Sequence, residues 1–174
     1  NLSSYEVSTL MNVRAIPYFE NMVEQHAKVK CTNAKLAVNW MINKLIAVLN
    51  KEQLTIEQSP ITPEQLSSLV NMLDKEQITN KIGEEVLQLM LTDRRDAHAI
   101  CIEKNWKQIS DAGAIEQMCK TAIETNPQVF ENNNKNLLGA FVNIVLKMSN
   151  GQANPRMTSE CLKKLLENHA NNKQ

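Results

Sequence analysis

The sequence predicts an all-α protein, and three observations carry that prediction. Apolar residues recur at helical spacing along most of the 174 residues. No stretch sustains the period of two that a half-buried strand needs. Proline directly follows a capping residue at several points where an apolar helical run begins. Four glycines and 4% aromatic residues are also a thin supply for hairpins and sheets.

Taken in order, Tyr5 to Gln25 reads as helical but contains Pro17, which either kinks one helix or separates two shorter ones. After Thr32, the residues Ala37, Trp40, Met41, Leu45, Val48 and Leu49 make one apolar stripe and place Trp40 in the core. Residues 52–60 are polar, with turn character. Thr62-Pro63-Glu64-Gln65 is a capping box with proline at the first helical position. Thr62 is expected to accept from the Gln65 backbone N–H, and Gln65 to reach back to the Thr62 N–H. Leu66, Leu69, Val70 and Leu73 continue that helix; Ile82, Val86, Leu89 and Met90 form the next, and Thr92-Asp93 is a further capping candidate. Residues 103–113 are a second break, and a new cap at Asp111 opens a fresh helical series. The division therefore falls between a helical domain, 1–104, and a smaller helical tail domain, 105–174. Within the tail, Asn126-Pro127 and Asn154-Pro155 repeat the asparagine-then-proline start. Leu137, Phe141, Val145 and Met148 form one stripe, and Cys161, Leu162, Leu165 and Leu166 form another.

Composition narrows the function classes. Apolar residues make up 43% of the chain, enough for a core, and 19 basic residues balance 19 acidic ones. That balance argues against a free-standing, strongly electrostatic nucleic-acid binder, though not against a local basic strip. Cys31, Cys101, Cys119 and Cys161 are far apart and form no C-x-x-C pair, so they read as reduced, mostly buried thiols in a reducing compartment. No apolar run has the length of a membrane span. The first residue is Asn1 rather than methionine, which predicts either a processed chain or a piece cut from a longer one, the second being favoured.

Catalytic motifs are not found. His98 and Cys101, at i and i+3, supply half of a structural zinc set, and no second pair follows, so no metal site is predicted. Neither His26 nor His98 is placed beside a cysteine to act as its base. Glu84 and Glu85 are adjacent on a helix and point apart. Gly83, Gly113, Gly139 and Gly151 are isolated, so no phosphate loop forms and no cofactor is predicted for this chain. The basic residues of the last third are interleaved with Glu124, Glu131, Glu160 and Glu167, which by spacing alone is a solvated face. Arg94-Arg95 lies beside Asp93 and Asp96, which weakens it as a phosphate clamp.

Several segments, in order, carry a family resemblance: Tyr18-Phe19-Glu20, Asn39-Trp40, Ile61-Thr62-Pro63-Glu64-Gln65-Leu66, Lys107-Gln108-Ile109-Ser110-Asp111, Asn126-Pro127-Gln128-Val129 and Gly151-Gln152-Ala153-Asn154-Pro155. Together they resemble the carboxy-terminal half of the B subunit of aspartyl/glutamyl-tRNA amidotransferases. The resemblance implies a helical domain followed by a tail domain related to YqeY proteins, working as a grip on the tRNA body. It implies that tRNA(Gln) and the A and C subunits of the amidotransferase are the partners, with no role for DNA or membrane. ATP and Mg2+ would belong to an amino-terminal domain of the parent ligase and not to this fragment.

The departures from the family pattern concern charge. Asn133-Asn134 stands where the family usually has Gly-Lys, Asn143-Ile144 where it has Gly-Gln, and Asn150-Gly151-Gln152 where it has Lys-Gly-Lys. Leu146 replaces a methionine, and Lys147 is kept. The candidate RNA contacts that remain are Lys135, Lys147, Arg156 and Lys163. The missing lysines imply a diverged version of the subunit, expected in the mitochondrial matrix, with the bacterial cytoplasm as the alternative. They equally suit a non-catalytic helical assembly module that docks the other subunits.

Overall fold

Capping residues set where most helices of this chain begin. A computed structural model describes residues 2–24, 29–131 and 136–171, and the chain divides into two compact units, Asn1–Trp106 and Lys107–Gln174. Among the described residues there is no strand, only one isolated bridge between Ile109 and Ala153.

The first unit holds α1 (Ser4–Asn12), α2 (Ile16–Val23), α3 (Ala34–Trp40), α4 (Ala47–Lys51), α5 (Pro63–Asp74), α6 (Asn80–Asp93) and α7 (Ala97–Lys104). A π-helical segment, Met41–Ile46, joins α3 to α4, and a 3-10 turn, Ile56–Gln58, lies within the polar stretch. Pro17 separates two helices. The chain turns at Arg14, whose φ is 56°, and Pro17 then falls in the first turn of α2, where its missing N–H costs nothing. The Thr62 box forms with both reciprocal bonds. The expected cap at Thr92-Asp93 does not. Thr92 Oγ1 donates to the Leu89 carbonyl, α6 continues to Asp93, and Asp96 caps α7 by accepting from the His98 N–H.

Two contacts fasten the outer segments of this unit. The Asn71 side-chain oxygen accepts from the Thr32 N–H and hydroxyl at 3.0 and 3.1 Å, and its amide donates to the Lys30 carbonyl at 2.9 Å. Asn71→Ala removes all three bonds, and because they face solvent the expected loss is about 1 kcal/mol, read from the denaturation midpoint. The second contact is at Glu6. Lys35 Nζ sits 2.7 Å from both carboxylate oxygens, and Ser3 donates to the same carboxylate through its N–H and hydroxyl. These bonds, the Lys35 one foremost, hold the Glu6 carboxyl at about 2 against its ordinary 4.5. A lowered folded value stabilises above the ordinary one, so the clamp on α1 is complete above pH 4.5 and fades as pH falls toward 2. Solvent screening keeps the effect small. Amide exchange in α1 should accelerate over that window, and Glu6→Gln should abolish the pH dependence.

The core of this unit gathers Trp40, Met41, Leu45, Leu49, Leu66, Leu69, Val70, Ile82, Val86 and Met90. Trp40 is 2% exposed and lies against Gly83 of α6. Trp106 packs, half-buried, on the same core.

The second unit holds α8 (Ala112–Thr125), α9 (Gln128–Glu131), α10 (Leu137–Met148) and α11 (Pro155–Asn171). Its buried apolar core is small: Ile115, Cys119, Ala122, Phe141, Val145, Ala153 and Leu162. Asp111 caps α8 by accepting from the Ala114 N–H. Asn154 caps α11 by accepting from the N–H groups of Arg156 and Met157. Asn126 instead closes the end of α8: its side-chain amide donates to the Ala122 carbonyl. Met148 ends its expected stripe 46% exposed.

Candidate nucleic-acid interface

The bridge of Ile109 with Ala153 organises one end of the second unit. Ile109 donates its N–H to the Gln152 carbonyl at 2.7 Å, and Asn154 donates to the Ile109 carbonyl at 2.9 Å. The pairing is parallel. Asp111 follows Ile109 and Asn154 follows Ala153, so the starts of α8 and α11 lie close together. α10 ends in a tight turn that leads to Gln152 beside Ile109. There Asn150 and Gly151 take φ of 50° and 79°, and the Gly151 N–H donates to the Leu146 carbonyl at 2.7 Å. Two successive left-handed residues explain a glycine at 151, which is also buried.

Exposed cations flank this turn. Lys147 lies in the last turn of α10, Arg156 in the first turn of α11, and both are exposed. Lys107, also exposed, enters at the same end, two residues before the bridge. Lys163 lies seven residues beyond Arg156 on α11, which returns it to the same helix face. Lys135 falls outside the described residues. Lys107 was not among the residues expected from sequence. Its segment reaches the start of α11 only through the bridge, between residues distant in the chain, and no local signal announces it.

Neutralisation sorts these cations. Arg156 Nε donates to Glu160 Oε1 at 3.1 Å, and Lys120 pairs with Glu116 at 2.6 Å. Among the described residues no salt bridge engages Lys107, Lys147, Lys163 or Lys164. Such lysines suit phosphate contacts, which fix register and orientation without reading bases.

The first unit offers no comparable set. Arg95 is bound by Asp93 at 2.7 Å and by Glu103, and those two carboxylates hold its guanidinium more firmly protonated than usual. Glu84 is paired with Lys44 at 2.7 Å. His98 is exposed while Cys101, one turn on, is buried, and burial pushes the Cys101 thiol up to about 11. Among the described residues no group of three histidine, cysteine or acidic side chains is placed to hold a metal. His26 and the side chain of His169 lie outside the described residues. A cavity of about 330 Å3 lined by Arg14, Ile46, Leu49 and Glu57 brings no paired acid and base together. No helix among the described residues is long and apolar enough to cross a membrane.

Residues 17–166 match the model of the GatB domain family. The chain is similar to the aspartyl/glutamyl-tRNA(Asn/Gln) amidotransferase B subunit of Pelagibacter ubique, at 36% identity over 95% of this chain and 34% of that protein. It is 40% identical to the B subunit of Teredinibacter turnerae over 80% of this chain and 30% of that protein. It is 38% identical to the B subunit of Ectopseudomonas mendocina over 95% and 35%, respectively. It thus spans about a third of the length of these bacterial relatives.

Proposed function

The chain belongs to the GatB domain family, and from that premise we propose that it is the tRNA-positioning carboxy-terminal region of the B subunit of a glutamyl-tRNA(Gln) amidotransferase. The parent enzyme makes Gln-tRNA(Gln) from Glu-tRNA(Gln) for translation, and this region holds the tRNA body while the acceptor end reaches chemistry elsewhere. The observation that carries the reading is the group of exposed lysines, Lys107, Lys147 and Lys163, spread from the α10–α11 turn along α11. Shape and backbone contacts are how RNA bodies are gripped, and they need few charges when other parts of a complex share the affinity.

ATP and Mg2+ act in another part of the parent protein. The glycines here do not form a phosphate cradle: Gly83 lies against Trp40, Gly139 against its own cap Asn136, and Gly151 in a buried turn. The A and C subunits are the partners in assembly, and tRNA(Gln) is the RNA ligand. The bacterial relatives favour a bacterial cytoplasm, whereas the lysines missing around residues 133 and 150 support a mitochondrial form.

Charge reversal tests the reading in the assembled enzyme. Lys107→Glu with Lys147→Glu should weaken tRNA binding about tenfold or more and flatten the salt dependence by nearly one unit of slope for each phosphate no longer engaged. Amidation should fall while the complex stays whole. A complex that falls apart instead supports the assembly-module reading. One observation favours that second reading: α10 is apolar nearly all round, and Leu138, Val142 and Leu146 stay only half-buried in its unit.

A further inference from the structure

Cys119 of α8 packs against the turn of α11 that leads into Cys161. Cys119 is fully buried, and its Sγ lies 3.9 Å from the Thr158 carbonyl, one helical turn before Cys161. Cys161 also acts electrostatically on the Cys119 thiol and favours its protonated form. Cys161 is half-buried and lines a groove of about 380 Å3 between α8 and α11, walled by Ile115, Met157 and Leu165 with Lys164 at its rim. Cys161 is therefore reachable from the groove, and Cys119 is buried in the core of the same unit. Cys31 and Cys101 are buried in the other unit.

We propose that Cys119 and Cys161 form a redox site that takes an intramolecular disulfide from a small disulfide oxidant of the glutathione class admitted by this groove. The Cys161 thiolate attacks one sulfur of oxidised glutathione. That S–S bond breaks, one glutathione thiolate leaves, and a mixed disulfide forms on Cys161. Cys119 gives up its proton and attacks Cys161 Sγ, releasing the second glutathione thiolate, which takes a proton from solvent. Two protein thiols are oxidised to one disulfide, and one oxidised glutathione is reduced to two thiols. Burial, with the neighbouring Cys161, pushes the Cys119 thiol above its ordinary range, which slows the second step. The 3.9 Å approach of Cys119 Sγ to the turn that leads into Cys161 offsets that handicap by making the attack intramolecular. The product staples α11 to α8 along the helix that carries Lys163.

The test is incubation of the native chain with oxidised glutathione, followed by non-reducing peptide mapping. The expected product is a Cys119–Cys161 cross-link with the loss of two hydrogens, while Cys31 and Cys101 stay unmodified. Cys119→Ser should stop at a glutathione adduct on Cys161, and Cys161→Ala should leave Cys119 unmodified. The oxidised chain should also unfold at a higher temperature than the reduced one. A stable adduct on Cys161 with no cross-link in the native chain would overturn the proposal. So would modification of Cys31 and Cys101 at the same rate, since the reaction would then run through unfolding.

Discussion

Phe141→Ala is expected to unfold the carboxy-terminal unit while the amino-terminal unit stays folded. Phe141 is fully buried, and its ring lies 5.2 Å from that of Phe130 at an angle of 50°. Truncating a buried phenylalanine costs about 3–5 kcal/mol through lost burial and the cavity left behind. Losing the tilted aromatic pair adds about 0.5–1.5 kcal/mol. A unit of this size holds about 3–5 kcal/mol in all, and its core has few other large side chains to share the load. The cost matches or exceeds the supply. Hydrogen exchange is the direct measurement: amides of α8, α10 and α11 should lose protection, while α5 and α6 keep theirs. Retained protection in α10 and α11 would show that the small core is not the unit's main support.

The next largest effect is expected at Gly83. Mid-helix glycine normally costs about 1 kcal/mol relative to alanine, so Gly83→Ala should stabilise α6 if nothing stood in the way. A Cβ at this position would come within 2.7 Å of Trp40 Cη2 and 3.0 Å of Leu73 Cδ2. Trp40 is 2% exposed and has no room to swing aside. Overpacking of this kind costs about 1–3 kcal/mol, and with no slack around the ring the upper part of that range applies. The net expectation is a loss of about 1–2 kcal/mol. Trp40→Phe removes the ring atoms that clash, so the double variant should lose less than the sum of the two single ones. Additive losses in denaturant titrations would refute the contact.

What the sequence made legible was local. The Thr62–Gln65 box spans three residues and formed as expected, as did the caps at Asp111 and Asn154, because such signals need only neighbouring atoms. The stripe that put Trp40 inside was legible for the same reason. The site was legible as family vocabulary, in runs such as Lys107-Gln108-Ile109-Ser110-Asp111, but not as geometry. The segment of Lys107 reaches the start of α11 only through the bridge at Ile109 and Ala153, and Cys119 reaches the turn before Cys161 only because α8 packs on α11. Pairings so distant in the chain leave no periodic trace. Asn126 misled for a different reason: asparagine both starts helices and closes them, and here the preceding helix took its side chain.

The wide turn at Met41–Ile46 was equally invisible to a search for a 3.6-residue period. Its consequence is a matter of descent. A π turn holds one residue more than the α turn it replaces, and the helix on either side keeps its phase: Ala37, Trp40, Met41, Leu45 and Leu49 all reach the core. The helix can therefore lose that one residue and close to an α turn without rotating Leu49 away from its neighbours. Lineages sharing the fold are free to differ in length here, in the middle of a buried helix, where an insertion or deletion is otherwise least tolerated.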